Sequence, residues 1–131
     1  MNFSLKKNRQ ASLASFSAAF AVVFLALAAH ALKSRLDPDK VSAITTAGQI
    51  QLFHAIAMIA MFSSGPEMQA NLRLAGKMLF AGSLIFSLSI YLLATIPLTG
   101  LDYLHFLGPV TPIGGVLMIC GWVIAGLKYL K

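Results

Sequence analysis

Four stretches of this chain contain no Asp, Glu, Lys or Arg: residues 10–32, 41–66, 78–101 and 103–127. Each is long enough to cross the roughly 30 Å hydrocarbon core of a bilayer as a helix, which takes about 20 residues. Water is absent there, so backbone N–H and C=O groups must pair within the segment or around a closed barrel, and apolar runs of this length become helices. The chain is 58% hydrophobic and only 11% charged, against roughly 25% charged in an ordinary soluble domain. The expectation is a single domain over residues 1–131, an all-α membrane protein built as a four-transmembrane-helix bundle. Its helices are expected near 10–32, 43–63, 77–97 and 109–128.

Polar punctuation separates the runs. Lys6, Lys7 and Arg9 form a basic head; Lys33 to Lys40 is a polar turn broken at Pro38; Ser63-Ser64-Gly65-Pro66 stops the second run; and Glu67 to Lys77 reads as a second polar connection. Pro97 and Gly100 end the third run, and Pro109 suits the first turn of the fourth helix. The basic head followed by an apolar run and Ala29-His30-Ala31 also resembles a cleaved signal peptide. The hydrophobic region of such a peptide spans about 7–15 residues, shorter than the first run here, so a retained helix is the preferred reading.

Lys and Arg near the span ends set membrane orientation, the richer side staying in the cytoplasm. Seven (Lys6, Lys7, Arg9, Arg73, Lys77, Lys128 and Lys131) fall on one side, and three (Lys33, Arg35 and Lys40) on the other. Both termini are therefore expected to be cytoplasmic, in a multi-pass protein of a bacterial inner membrane. The net charge of +6 is spread between apolar runs. A nucleic-acid binder needs its cations gathered on one soluble face, so nucleic acid is not an expected partner.

With this topology the hydrogen-bonding side chains gather in the outer half of the membrane. They are His30, Gln49, Gln51, His54, Tyr91, His105 and Thr111. Gln51, His54, Met58 and Met61 share one helix face, and Ser83, Ser87 and Tyr91 share another. His54 and Gln51 are expected to point into the bundle and to meet Tyr91 or His30. Gly114, Gly121 and Ala125, with Gly115 beside them, offer a small-residue surface on which helix backbones can approach closely. The structural reading of the polar layer is interhelical glue. The sharper reading is ligation or proton handling by His30 or His54, for example axial haem ligation. Met58, Met61, Met78, Met118 and Cys120 raise copper, since soft ligands prefer Cu(I), but they form no tight spacing motif. No nucleophile–base–orienter set, phosphate loop or carboxylate pair is visible, and an enzyme is not expected. No cofactor is expected; haem or copper are the alternatives.

Residues from every run carry a family resemblance. They are Ala28-Ala29-His30-Ala31-Leu32-Lys33, Gln49 to Ala55, Phe86 to Ala94, Thr111 to Gly115, and Gly121-Trp122. In these the chain resembles the domain of unknown function 423 family, small bacterial inner-membrane proteins similar to eukaryotic transmembrane protein 256. Family members usually carry Gly-Ala-Phe-Gly-Ala-His-Gly in the first helix. Here Ala26-Leu27-Ala28-Ala29-His30-Ala31 keeps the histidine and replaces the glycines by alanine or leucine. The resemblance implies a four-helix membrane bundle and brings no settled activity. The leading functional expectation is a small non-enzymatic integral membrane protein. Its partners would be the lipid bilayer and either a larger membrane complex, as accessory or assembly subunit, or copies of itself. One alternative is an outer-leaflet haem, metal or quinone module built on His30 and His54. Another is a small transporter or channel component, for which the apolar inner half offers no polar path.

Overall fold

In the computed structural model, residues 8–130 are described, and all regular structure among them is helical. The elements are α1 (Arg9–Ala29), α2 (Pro38–Phe62), α3 (Pro66–Thr99), the short 3₁₀ segment η1 (Asp102–Leu107) and α4 (Val110–Tyr129). Four helical segments are long and apolar enough to cross a membrane. Lys6, Lys7 and Lys131 lie outside the described residues.

Two prolines that look like breakers are helix starters. Pro38 occupies the first turn of α2 behind Asp37, with Asp39 in that turn, and Pro66 opens α3 behind Gly65, with Glu67 in its first turn. At a helix start the missing proline N–H costs nothing, because that N–H has no intrahelical partner; an acid there complements the positive end of the helix. The expected second helix therefore begins earlier, at 38 instead of 43. The larger correction is to the third. It starts at Pro66 instead of 77, so the expected polar connection Glu67–Lys77 is helix. Charge marks where a helix leaves hydrocarbon, not where it ends. At 34 residues α3 is about 51 Å long, well over the thickness of the core. Pro97 falls within the last turn, and α3 runs on to Thr99, where Gly100 closes it with the one positive φ among the described residues (67°). In contrast, α1 ends at Ala29, short of the expected 32, and its chain turns through residues 30–35.

The helices alternate in direction and pack in chain order: α1 on α2, α2 on α3, α3 on α4. Backbone contact between α1 and α3 is slight, and none joins α4 to α1 or α2 among the described residues. The arrangement is a curved, open row with α2 and α3 inside, not a closed four-cornered bundle. At one end, side-chain amides tie three elements together. The Asn8 amide caps α1, its oxygen accepting from Ala11 N–H at 3.1 Å, and its nitrogen donates to Phe62 C=O at 2.6 Å. Gln69 Nε2 donates to Phe62 C=O and to Ser64 C=O, both at 2.8 Å. These amides satisfy carbonyls that the end of α2 leaves without intrahelical partners.

Small residues decide how closely the row packs. A Cβ on Gly82 would stand 2.7 Å from Gly114 O, and one on Gly114 would stand 2.5 Å from Phe86 N. The α3–α4 contact is thus backbone against backbone. Gly121 meets the Leu79 side chain and Ala75 O, and Ala125 is buried. Gly115 faces open space and does not join this contact. On α1 the buried positions are Ala14, Ser17, Ala21 and Ala28.

Candidate functional site

The centre of the molecule is a hydrogen-bonded chain across three helices. Gln51, fully buried on α2, donates from Nε2 to Ser17 Oγ on α1 at 3.1 Å. It accepts at Oε1 from the Tyr91 hydroxyl on α3 at 2.9 Å. Gln51 and Tyr91 lie on antiparallel neighbours, and helical side chains lean toward their own helix's N-terminus, so the two lean toward each other. Gly48 beside them admits α1: a Cβ there would stand 2.8 Å from Leu25 Cγ, while the Tyr91 hydroxyl at 3.5 Å would be in ordinary contact. The Tyr91 ring stacks on Phe24 of α1, with centroids 3.8 Å apart and planes at 7°. Beside this, Ser87 Oγ donates to Ala47 C=O at 3.0 Å. That carbonyl already serves the α2 ladder, so the bond links α2 to α3 through a second lone pair.

His54 belongs to a different place. It is half-buried, at the edge of the Gln51 face, and turns toward α4. Its Nδ1 lies 2.7 Å from Ile50 C=O, and its Nε2 lies 3.1 Å from Trp122 Nε1. A carbonyl and an indole N–H leave one consistent assignment, because indole only donates. Nδ1 carries the proton and donates to Ile50, and Nε2 accepts from Trp122. Both ring nitrogens are occupied, so no lone pair is left for a metal or a haem iron while the Trp122 bond stands.

The remaining expected residues scatter. His30 caps the end of α1 and is exposed. Counting along α1 from Ser17, which pairs with Gln51, His30 sits roughly 20 Å along the helix axis from that level at 1.5 Å per residue. It is not in the polar layer with Gln51, and it does not approach His54; two histidines so placed cannot grip one iron. His105 is exposed in η1. Gln49 is exposed and lines a cavity of about 740 Å³ between α1 and α2 with Lys33 and Thr46. Thr111 donates to Ser89 Oγ at 3.0 Å, a separate link between α4 and α3. Among the described residues, no three His, Cys, Asp or Glu side chains gather as metal ligands.

Three partners were missing from the sequence reading. Ser17 takes the position expected for His30, and its signal was its place among small residues at 14, 17, 21 and 28. Ser89 holds Thr111. Trp122, read as a core or belt residue, is the partner of His54, and no one-dimensional pattern links positions 68 apart.

The family model described as "Protein of unknown function (DUF423)" matches residues 24–115, from the end of α1 to the start of α4. The chain belongs to the DUF423 family. The match takes in Gln51, His54 and Tyr91, while Ser17 and Trp122 fall outside it. A UPF0382 membrane protein of Staphylococcus epidermidis is 34% identical over 119 residues, 91% of this chain and 93% of its own length. One of Haemophilus influenzae is 34% identical over 117 residues, covering 89% and 90%. One of the yeast Schizosaccharomyces pombe is 34% identical over 112 residues, covering 85% and 92%. No solved structure matches the chain. This DUF423 member is thus a membrane protein, similar along nearly its whole length to bacterial and fungal proteins described in the same way.

Proposed function

We propose that this protein is a non-enzymatic integral membrane subunit that acts by lateral association, as an accessory or assembly subunit of a larger membrane complex. One observation carries the reading. Among the described residues no buried side-chain nitrogen or oxygen lacks a hydrogen-bond partner. A site built to receive a substrate or cofactor presents convergent polar groups whose partner is the ligand. Here Ser17, Gln51, Tyr91, Ser87 and Ala47 satisfy one another, and His54 is satisfied by Ile50 and Trp122. These bonds hold helices in place, and what the protein then offers other molecules is its surface. An open row leaves much of α1 and α4 uncovered: Phe16 is 71% exposed and Ile119 64%. The supporting orientation is both termini in the cytoplasm of a bacterial inner membrane, from the seven-to-three division of Lys and Arg.

Purification from the native membrane in a mild detergent, with mass spectrometry and an optical spectrum, tests this. A stoichiometric membrane-protein partner is the expected result. A visible-range chromophore or a bound metal at one per chain would overturn it in favour of a ligand module.

A further inference from the structure

At the end of the row where α1 begins and α4 ends, a cavity of about 760 Å³ opens between α1 and α3 over the end of α2. Its walls come from the start of α1, the end of α2 and about the first four turns of α3. The mouth carries Arg9, Arg73 and Lys77; among the described lining residues there is no acid. Arg73 and Lys77 are four apart on one face of α3, so both cations point to the same side. Leu13, Met58 and Phe80 line the deeper part. Leu13 is four residues past Arg9 and Phe80 three past Lys77, so the lining turns apolar within roughly one helical turn, about 5 Å. Lys77 is the last charge before the run 78–101, which puts the change from cationic to apolar at the edge of the hydrocarbon.

We infer that this cavity is a binding site for one anionic phospholipid. The headgroup phosphate lies between Arg9, Arg73 and Lys77, and the start of an acyl chain lies along Leu13, Met58 and Phe80. Charge complementarity identifies the occupant. Three cations without an acid repel one another unless an anion sits among them, and guanidinium groups match phosphate oxygens in paired hydrogen bonds. The apolar lining excludes a free anion as the full occupant, since phosphate alone leaves that surface uncovered. A basic recess between helices at a membrane boundary is a known geometry for anionic headgroups. The inference stands apart from the accessory-subunit reading: a lipid can be held whether or not a protein partner exists.

The test uses the full chain, delipidated in a neutral detergent and titrated with palmitoyl-oleoyl phosphatidylglycerol or phosphatidylcholine, with bound lipid counted by native mass spectrometry. One phosphatidylglycerol per chain is expected, at least about ten-fold tighter than phosphatidylcholine, the preference weakening with salt. R73Q/K77Q should abolish the preference, and A70W, which keeps all three cations and fills the mouth, should lower retention of phosphatidylglycerol at least several-fold. Tryptophan emission and far-ultraviolet dichroism of each variant check that it is folded; if R73Q/K77Q is not, R9Q must show the same loss. Equal binding of the two lipids, or A70W binding like the parent, overturns the inference. Displacement of the lipid by millimolar inorganic phosphate would overturn it too, by making the site one for a free anion.

Discussion

Gln51 is the side chain on which the interior of this protein depends, because its amide is used at both ends. A buried amide with one missing partner leaves a desolvated donor or acceptor, costing roughly 1–3 kcal/mol in soluble proteins, while measured interhelical bonds in membranes average nearer 0.6 kcal/mol. Tyr91→Phe, which keeps the stack on Phe24 and removes the hydroxyl, is expected to lower unfolding stability in detergent by about 0.5–2 kcal/mol. Gln51→Leu should cost a comparable amount, and the double variant should cost clearly less than the sum, since the second change removes a partner already idle. Strict additivity would show that the two side chains are not bonded. His54 carries a different expectation. Trp122 is the single tryptophan, so its fluorescence reports the bond it donates to His54. His54→Leu should move the emission to shorter wavelength, and His54→Gln, which keeps an acceptor, should move it less. An unchanged spectrum in His54→Leu would show that the indole is bonded elsewhere.

Helix pairs differ in what joins them. The α3–α4 pair is joined by backbone proximity at Gly82 and Gly114, with the part-buried Thr111–Ser89 bond beside it; α1–α2 and α2–α3 are tied by buried hydrogen bonds. Gly114→Leu or Gly82→Leu drives a side chain into backbone atoms, which have no rotamer to escape into. Each is expected to lower the melting stability in detergent by about 1–3 kcal/mol, the usual cost of overpacking. Gly115→Leu, where a Cβ meets nothing within 4 Å, should melt like the parent. If Gly114→Leu and Gly115→Leu melt alike, α4 does not pack on α3 through this face. The contrast shows what pattern can resolve: small residues at 114, 121 and 125 mark a seam, but Gly115 beside them belongs to another face, and a list of small residues does not tell the two apart.

For the whole molecule the open expectation is its sidedness. The start of α1, the α2–α3 connection and the end of α4 share one end, since helices α1 to α4 alternate in direction. Reporter fusions at Gly65 and at the C-terminus should therefore register the cytoplasm, and fusions after Leu36 and after Gly100, which fall between helices, the opposite side. The structure improves the choice of site, because a fusion after Arg73 would interrupt α3. A mature protein starting near Leu32 would show that α1 had been removed as a signal peptide and would defeat the prediction.

Four membrane helices were legible because hydrocarbon imposes a rule that acts residue by residue: a charge is costly there and a backbone bond must be local. Length and charge alone therefore locate the spans. Helix ends outside the hydrocarbon obey no such rule, which is why eleven residues of α3, Glu67 to Lys77, read as a polar connection. The buried polar layer was half legible. Spacing put Gln51 and His54 near one face, but the arc between them is wide enough for one to meet α1 and α3 while the other turns to α4. Only the tertiary structure decided that the row is open, that Ser17 and not His30 completes the layer, and that His54 is closed off by Trp122. Each of these depends on how far one helix slides and rotates against another. That is settled by contacts between residues distant in the chain, such as Gly82 against Gly114, which no local period records.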